Sequence, residues 1–194
     1  MHIEIEKIIK EEKYNVELKQ EVNFEEPKSY LKTVSSFANG YDVGYIIFGI
    51  EDVSKEIVGI QNIKKSYEEI SNRIKTRIEP SFTPIIDIMN IQNKNIILVK
   101  VNPGNHTPYY YVNKGSRIAY IRKGDQDVEA NGLELNELIL RGKNIGWDEQ
   151  VVDEKSEKFS FTVLKSFFEQ EKNYHINNND LVSFGLIKNK KLTN

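Results

Sequence analysis

Eight residues, Val43 to Ile50, read Val-Gly-Tyr-Ile-Ile-Phe-Gly-Ile and carry no charge. An apolar run of this length predicts a buried central strand, and a strand buried on both faces obliges the chain to cover it with other elements. Two amphipathic helices flank it in sequence. Glu25-Glu26-Pro27 is a helix start, with acids in the first turn and proline at the first helical position. Tyr30, Leu31, Val34, Phe37 and Ala38 then form an apolar stripe, and Lys28, Lys32 and Ser35 fall on the other face. A second helix is expected over residues 64–78, with Tyr67, Ile70, Ile74 and Ile78 on one side and Pro80 as its stop.

The remaining pattern is mostly strands. Tyr14 to Lys19 alternates, and Ile57 to Ile60 reads as a short strand. Residues 85–91 and 96–101 read as a hairpin across Gln92-Asn93-Lys94-Asn95, and residues 109–112 and 117–122 as another across Asn113-Lys114-Gly115-Ser116. Ile3, Ile5, Ile8 and Ile9 suit a short helix over residues 3–10 or a strand. Residues 133–140 read as a helix. After Arg141 the chain turns polar, then acidic, which places a domain boundary there. The expected domains are residues 1–142 and residues 143–194, the latter a helical linker with short helices over 161–171 and 179–186. An end so soon after new helices suggests a truncated second domain.

Composition removes several classes of function. Cysteine is absent, which excludes disulfides, thiol nucleophiles and thiolate metal sites and fits a reducing cytoplasm. With three histidines, His2, His106 and His175, a histidine-rich zinc site is not expected. No apolar stretch approaches the ~20 residues of a membrane span, and no P-loop pattern is present. The near-neutral balance hides a pattern. Residues 1–26 sum to −4, residues 27–124 to +6 and residues 125–194 to −4. A basic middle suits an anionic partner, or is an ordinary solvated surface.

Two groups of residues can carry chemistry. Glu12 and Glu17 bracket the entry to the first strand, and Asp52 lies just past the buried one. If the strands are neighbours, the carboxylates converge on Mg²⁺ or Mn²⁺, because hard cations take oxygen ligands. Lys19 shares a strand face with Glu17 and would neutralise a phosphate. The other reading makes Glu12 and Glu17 surface acids and Asp52 a turn cap. The second group is basic and aromatic: Tyr109 to Tyr111, then Arg117, Tyr120, Arg122 and Lys123. Aromatics beside cations on a sheet stack bases and hold phosphates, but tyrosines also favour strands and fill cores.

Seven short segments in order resemble the Schlafen/AlbA-like domain: Val16-Glu-Leu-Lys19, Lys32-Thr-Val-Ser-Ser-Phe-Ala-Asn39, Gly44-Tyr-Ile-Ile-Phe-Gly-Ile-Glu-Asp52, Ile57-Val-Gly-Ile60, Ile78-Glu-Pro80, Pro108-Tyr109 and Tyr120-Ile-Arg-Lys-Gly124. Val43-Gly44 stands where the family usually has a Gly-Gly pair. The resemblance implies an α/β (α+β) fold with a mixed β-sheet and two amphipathic helices, followed by a helical start of a second domain. It implies binding of DNA or RNA by the N-terminal part of a bacterial, cytoplasmic transcriptional regulator of the divergent ATP-binding kind. Phosphate contacts would fall to Lys19, Lys32, Arg117, Arg122 and Lys123, with Tyr120 stacking a base. Some relatives are metal-dependent endoribonucleases with three acids, and Glu12, Glu17 and Asp52 match those positions. That alternative takes Mg²⁺ or Mn²⁺ as cofactor, with Lys19 assisting. A third reading is a protein-interaction or homo-oligomerisation module. No membrane partner is expected.

Overall fold

Val16–Lys19 (β1) and Gly44–Phe48 (β2) lie side by side and parallel, Val16 opposite Tyr45 and Lys19 opposite Phe48. A parallel pair needs a crossover, and the helix Lys28–Ala38 (α1) supplies it. The structure, a computed structural model, describes Ile8 and residues 13–144 and 151–193. Contacts divide the chain into two units, residues 1–143 and 144–194.

In the first unit the chain continues through Ile63–Arg77 (α2) into Ile78–Glu79 (β3). The hairpin Ile85–Ile91 (β4) and Lys94–Val101 (β5) follows, then Tyr110–Asn113 (β6), Ser116–Lys123 (β7), Gln126–Glu129 (β8) and the helix Gly132–Gly142 (α3). One sheet has the order β1-β2-β5-β4 and is mixed, since only the β1–β2 pair is parallel. The other has the order β3-β6-β7-β8 and is antiparallel throughout. The fold is therefore the α/β class expected, with a mixed sheet and two amphipathic helices.

Helix α1 packs against strands of both sheets, and this decides its chemistry. Eight of its eleven residues are buried, including Thr33, Ser35 and Ser36. Ser35 was expected on the solvent side with the lysines; the second sheet covers that side and makes it interior. One core cluster joins Leu31, Val34 and Phe37 of α1 to Ile46 and Val99 of one sheet and Tyr111 and Tyr120 of the other. A second cluster, with Leu18, Ile47 and Leu98, fills the opposite face of the mixed sheet, where Ile8 packs on it. Except for Ile8, which is helical, the element expected over residues 3–10 lies outside the described residues.

The departure from a Gly-Gly pair leaves the critical glycine in place. A Cβ on Gly44 would stand 2.1 Å from the Phe37 ring, because α1 crosses β2 at this point. Gly44→Ala is expected to lower stability by about 2 kcal/mol or more, as overpacking into a rigid core does. A urea midpoint equal to the wild type would contradict this close approach.

Strand β4 is an edge of the mixed sheet, with Ile85 and Ile88 exposed. Ile57 to Ile60 makes a single bridge, Ile50 to Ile57, rather than a full strand. Strand β8, absent from the sequence reading, extends the second hairpin. In the second unit the strand Val151–Lys155 (β9) and a 3₁₀ turn, Ser156–Lys158, precede the helices Thr162–Lys172 (α4) and Asn178–Ser183 (α5). The short hairpin Ile187–Lys188 (β10) and Lys191–Thr193 (β11) pairs back on β9. Its helices are those expected; its strands are too short to show a period. Among the described residues no helix is long and apolar enough to cross a membrane.

Candidate nucleic-acid interface

Strand β1 is one edge of the mixed sheet and β8 one edge of the antiparallel sheet, and Arg122 of β7 joins them. Its Nη2 donates to Glu17 Oε2 on β1 at 3.1 Å, and its Nη1 to Asp127 Oδ1 on β8 at 2.9 Å. Its Nε donates to the Tyr14 carbonyl at 2.8 Å, and its guanidinium lies 5.3 Å from the Phe37 ring centre. Thr33 Oγ1 of α1 donates to the second Asp127 oxygen at 2.6 Å. The result is a seam over α1 in which the charges point inward. The Arg122 and Asp127 side chains are 9% and 2% exposed.

Lys19, 29% exposed, is held in the seam, its Nζ donating to Glu17 Oε1 at 2.6 Å. Lys28 is exposed beside Tyr120, whose hydroxyl helps raise the lysine above its ordinary pKa. Tyr120 is itself raised, first by burial. Lys32, one turn after Lys28 on the same stripe, has no ion-pair or hydrogen-bond partner among the described residues. With Lys19 counted, the core of Glu17, Arg122 and Asp127 is neutral, and Lys28 and Lys32 flank it.

The expected basic–aromatic patch on β7 does not assemble. Arg117 and Lys123 stand near opposite ends of the strand, about 20 Å apart at ~3.4 Å per residue. Arg117 stacks 4.4 Å over the Tyr110 ring and pairs with Glu79, and Lys123 pairs with Glu134. Tyr120 is 3% exposed and belongs to the core, so its ring is not offered to a base. Arg122 is sequestered by two carboxylates and is not presented to phosphate. Lys28 is the cation that the sequence reading left as an ordinary polar-face residue. Its partners lie on β7 and β8, far away in sequence.

The acidic trio divides differently. Glu12 lies outside the described residues. Glu17 stands opposite Ile46 in the β1–β2 register, so the two strands are neighbours as required. Asp52 lies in the turn beyond Ile50, two-thirds exposed, with Lys55 at 3.5 Å. Glu17 already holds Lys19 and Arg122. Among the described residues no three carboxylates or imidazoles stand close enough to hold a metal ion.

A buried polar clamp sets the seam's geometry. Asn39, just past α1, accepts from Tyr109 N at 2.7 Å and donates to the carbonyls of Tyr109 at 2.8 Å and Tyr120 at 3.0 Å. Ser35 Oγ donates to Tyr109 O at 2.7 Å and accepts from Tyr120 N at 3.1 Å. Ser35 of α1 and Asn39 just past it therefore satisfy the backbone of Tyr109, ahead of β6, and of Tyr120 in β7.

The chain is similar to known proteins in sequence over part of its length and in fold. An ATP-binding protein of Ureaplasma parvum serovar 3, itself uncharacterized, is 39% identical over 77 residues, which are 39% of this chain and 21% of that one. The crystal structure of the DIP2311 protein from Corynebacterium diphtheriae aligns with a TM-score of 0.52 and 18% identity, over 93% of this chain and 39% of that one. This chain thus spans about a fifth of that curated relative and two fifths of that solved chain. The latter likeness shows a shared fold. The family model described as Schlafen, AlbA_2 matches residues 12–131, which hold the seam, the clamp and both sheets. The chain belongs to the Schlafen AlbA_2 family.

Proposed function

We propose that the first unit binds nucleic acid along the seam between β1 and β8, as the binding part of a larger cytoplasmic transcriptional regulator. One observation carries the reading: the seam spends its carboxylates on Arg122 and Lys19 and leaves Lys28, exposed, and Lys32, half-buried with no partner among the described residues, beside it. Lysines so placed hold phosphates as point charges and fix a strand without reading its bases. The test is the affinity of a Lys28→Ala/Lys32→Ala variant for several labelled oligonucleotides of unrelated sequence. Binding is expected to weaken by a similar factor for all of them, with the folded state unchanged. Unchanged affinity would remove α1 from the interface.

A second reading, cleavage of the bound strand with Mg²⁺ or Mn²⁺ through Glu12, Glu17 and Asp52, draws on the position of Glu17 inside the seam. Its check is a denaturing gel of labelled RNA and DNA in Mn²⁺ and in chelator. Fragments that need metal and vanish in Glu17→Gln would favour it; intact strands throughout would leave binding alone. The interaction-module reading rests on the exposed isoleucines of edge strand β4 and predicts no nucleic-acid affinity at ~0.1 M salt.

A further inference from the structure

A cavity of about 260 Å³ opens beside the seam, sharing Arg122 and Tyr14 with it. It lies under the ~300–1,000 Å³ that drug-sized ligands fill, so it suits one small planar group. Its inner wall is apolar, with Phe37, Ile121 and Leu138. Ser36 also lines it. That residue is fully buried, and its hydroxyl makes no hydrogen bond among the described residues. At zero exposure that hydroxyl is closed off from an occupant of the cavity.

The rim adds aromatic surface already fixed in place. Tyr41 is 83% exposed and carries the Arg141 guanidinium 4.5 Å over its ring. Arg141 is anchored in turn on the Asn39 carbonyl. Tyr14 is held by Asp42, which accepts from its hydroxyl and raises it. An anion is the wrong occupant. Arg122 is neutralised by Glu17 and Asp127, and the carboxylates of Asp42, Glu134 and Glu137 also line the space. Glu137 has no ion-pair or hydrogen-bond partner among the described residues. The unmet groups that the cavity presents are thus a carboxylate acceptor and aromatic faces. A nucleobase answers both, through its exocyclic amino group and its π-face.

We propose that this cavity takes a single unstacked nucleobase of the strand whose phosphates lie on the seam. The proposal rests on the binding reading above, and the experiment separates the two. A short single-stranded oligonucleotide is compared with its all-abasic counterpart, against wild type and a Tyr41→Ala/Glu137→Ala variant; both of those side chains are exposed, so folding is not at stake. The wild type is expected to prefer the oligonucleotide with bases by about 5- to 150-fold, the range for one stacked base. The variant should lose most of that preference while holding the abasic strand as before. Equal affinity of wild type for both strands would overturn the cavity assignment and leave the phosphate seam intact. A preference that survives in the variant would also overturn it. No affinity for either strand would sink both readings. Competition by free nucleosides at concentrations matching the oligonucleotide would overturn the strand as the source of the base.

Discussion

Arg122→Ala is expected to lower the stability of the first unit by about 3–5 kcal/mol, because it strands Asp127 in the seam with no counter-charge and takes one of the two cations that Glu17 holds. Asp127, 2% exposed, would keep the Thr33 hydroxyl, and Glu17 would keep Lys19. The loss also frees the Tyr14 carbonyl and removes the cover over Phe37. Since domains of this size are stable by only ~5–15 kcal/mol, much of the margin disappears. Urea unfolding followed by circular dichroism measures it, and a double-mutant cycle with Asp127→Ala isolates the pair. Arg122→Lys keeps a charge but not the planar fork, so an intermediate loss is expected. An unchanged midpoint for the alanine variant would show that the seam does not hold the sheets together. Weaker nucleic-acid binding by Arg122→Ala would therefore report on the seam's geometry rather than on a lost phosphate contact.

Asn39→Ala is expected to cost about 3 kcal/mol or more. It leaves Tyr109 N and Tyr120 O unpaired in the core, and each orphaned buried group costs about 1–3 kcal/mol. Tyr109 O keeps its bond from Ser35. Asn39→Asp is no rescue. It retains an acceptor for Tyr109 N but turns a negative oxygen toward two carbonyls. Amide hydrogen exchange offers a local check, with protection at Tyr109 lost ahead of the rest of the sheet. Rescue by aspartate would contradict the donor role of the Asn39 amide.

What the sequence disclosed follows from what periodicity can see. Val43 to Ile50 contains a strand because no other short apolar run of this kind survives in water, and α1 shows its stripe of Leu31, Val34 and Ala38 at the helical period. Periodicity reports one covering layer. It cannot report that a second sheet lies on the other side, so Ser35 was read as solvent-facing although it is fully buried. The same blindness governs the site. Arg122 and Glu17 are 105 residues apart, and nothing local to either names the other as partner. Arg122, in an alternating strand, reads as a surface cation, and Tyr120 beside it as a stacking ring. Both are interior once β8 and α1 close over them. Lys32 stays on the polar face of α1 that its spacing predicts, because that placement needs no long-range partner. The family motif served where physics alone was silent. Gly44, Ser35, Phe37, Asn39, Tyr109 and Tyr120 all recur in the quoted segments, and they meet at one junction of helix and two sheets.

The central claim is that outward lysines over a neutralised seam hold a phosphate backbone. Its most direct test is the binding of a labelled oligonucleotide by the wild type across a series of salt concentrations, repeated with Lys28→Ala/Lys32→Ala. Phosphate contacts release counterions, so the logarithm of affinity should fall linearly with the logarithm of salt concentration. The variant's slope should be shallower by about 2, roughly one for each contact removed. A wild-type affinity indifferent to salt, or a slope identical in the variant, would contradict the seam as a nucleic-acid interface.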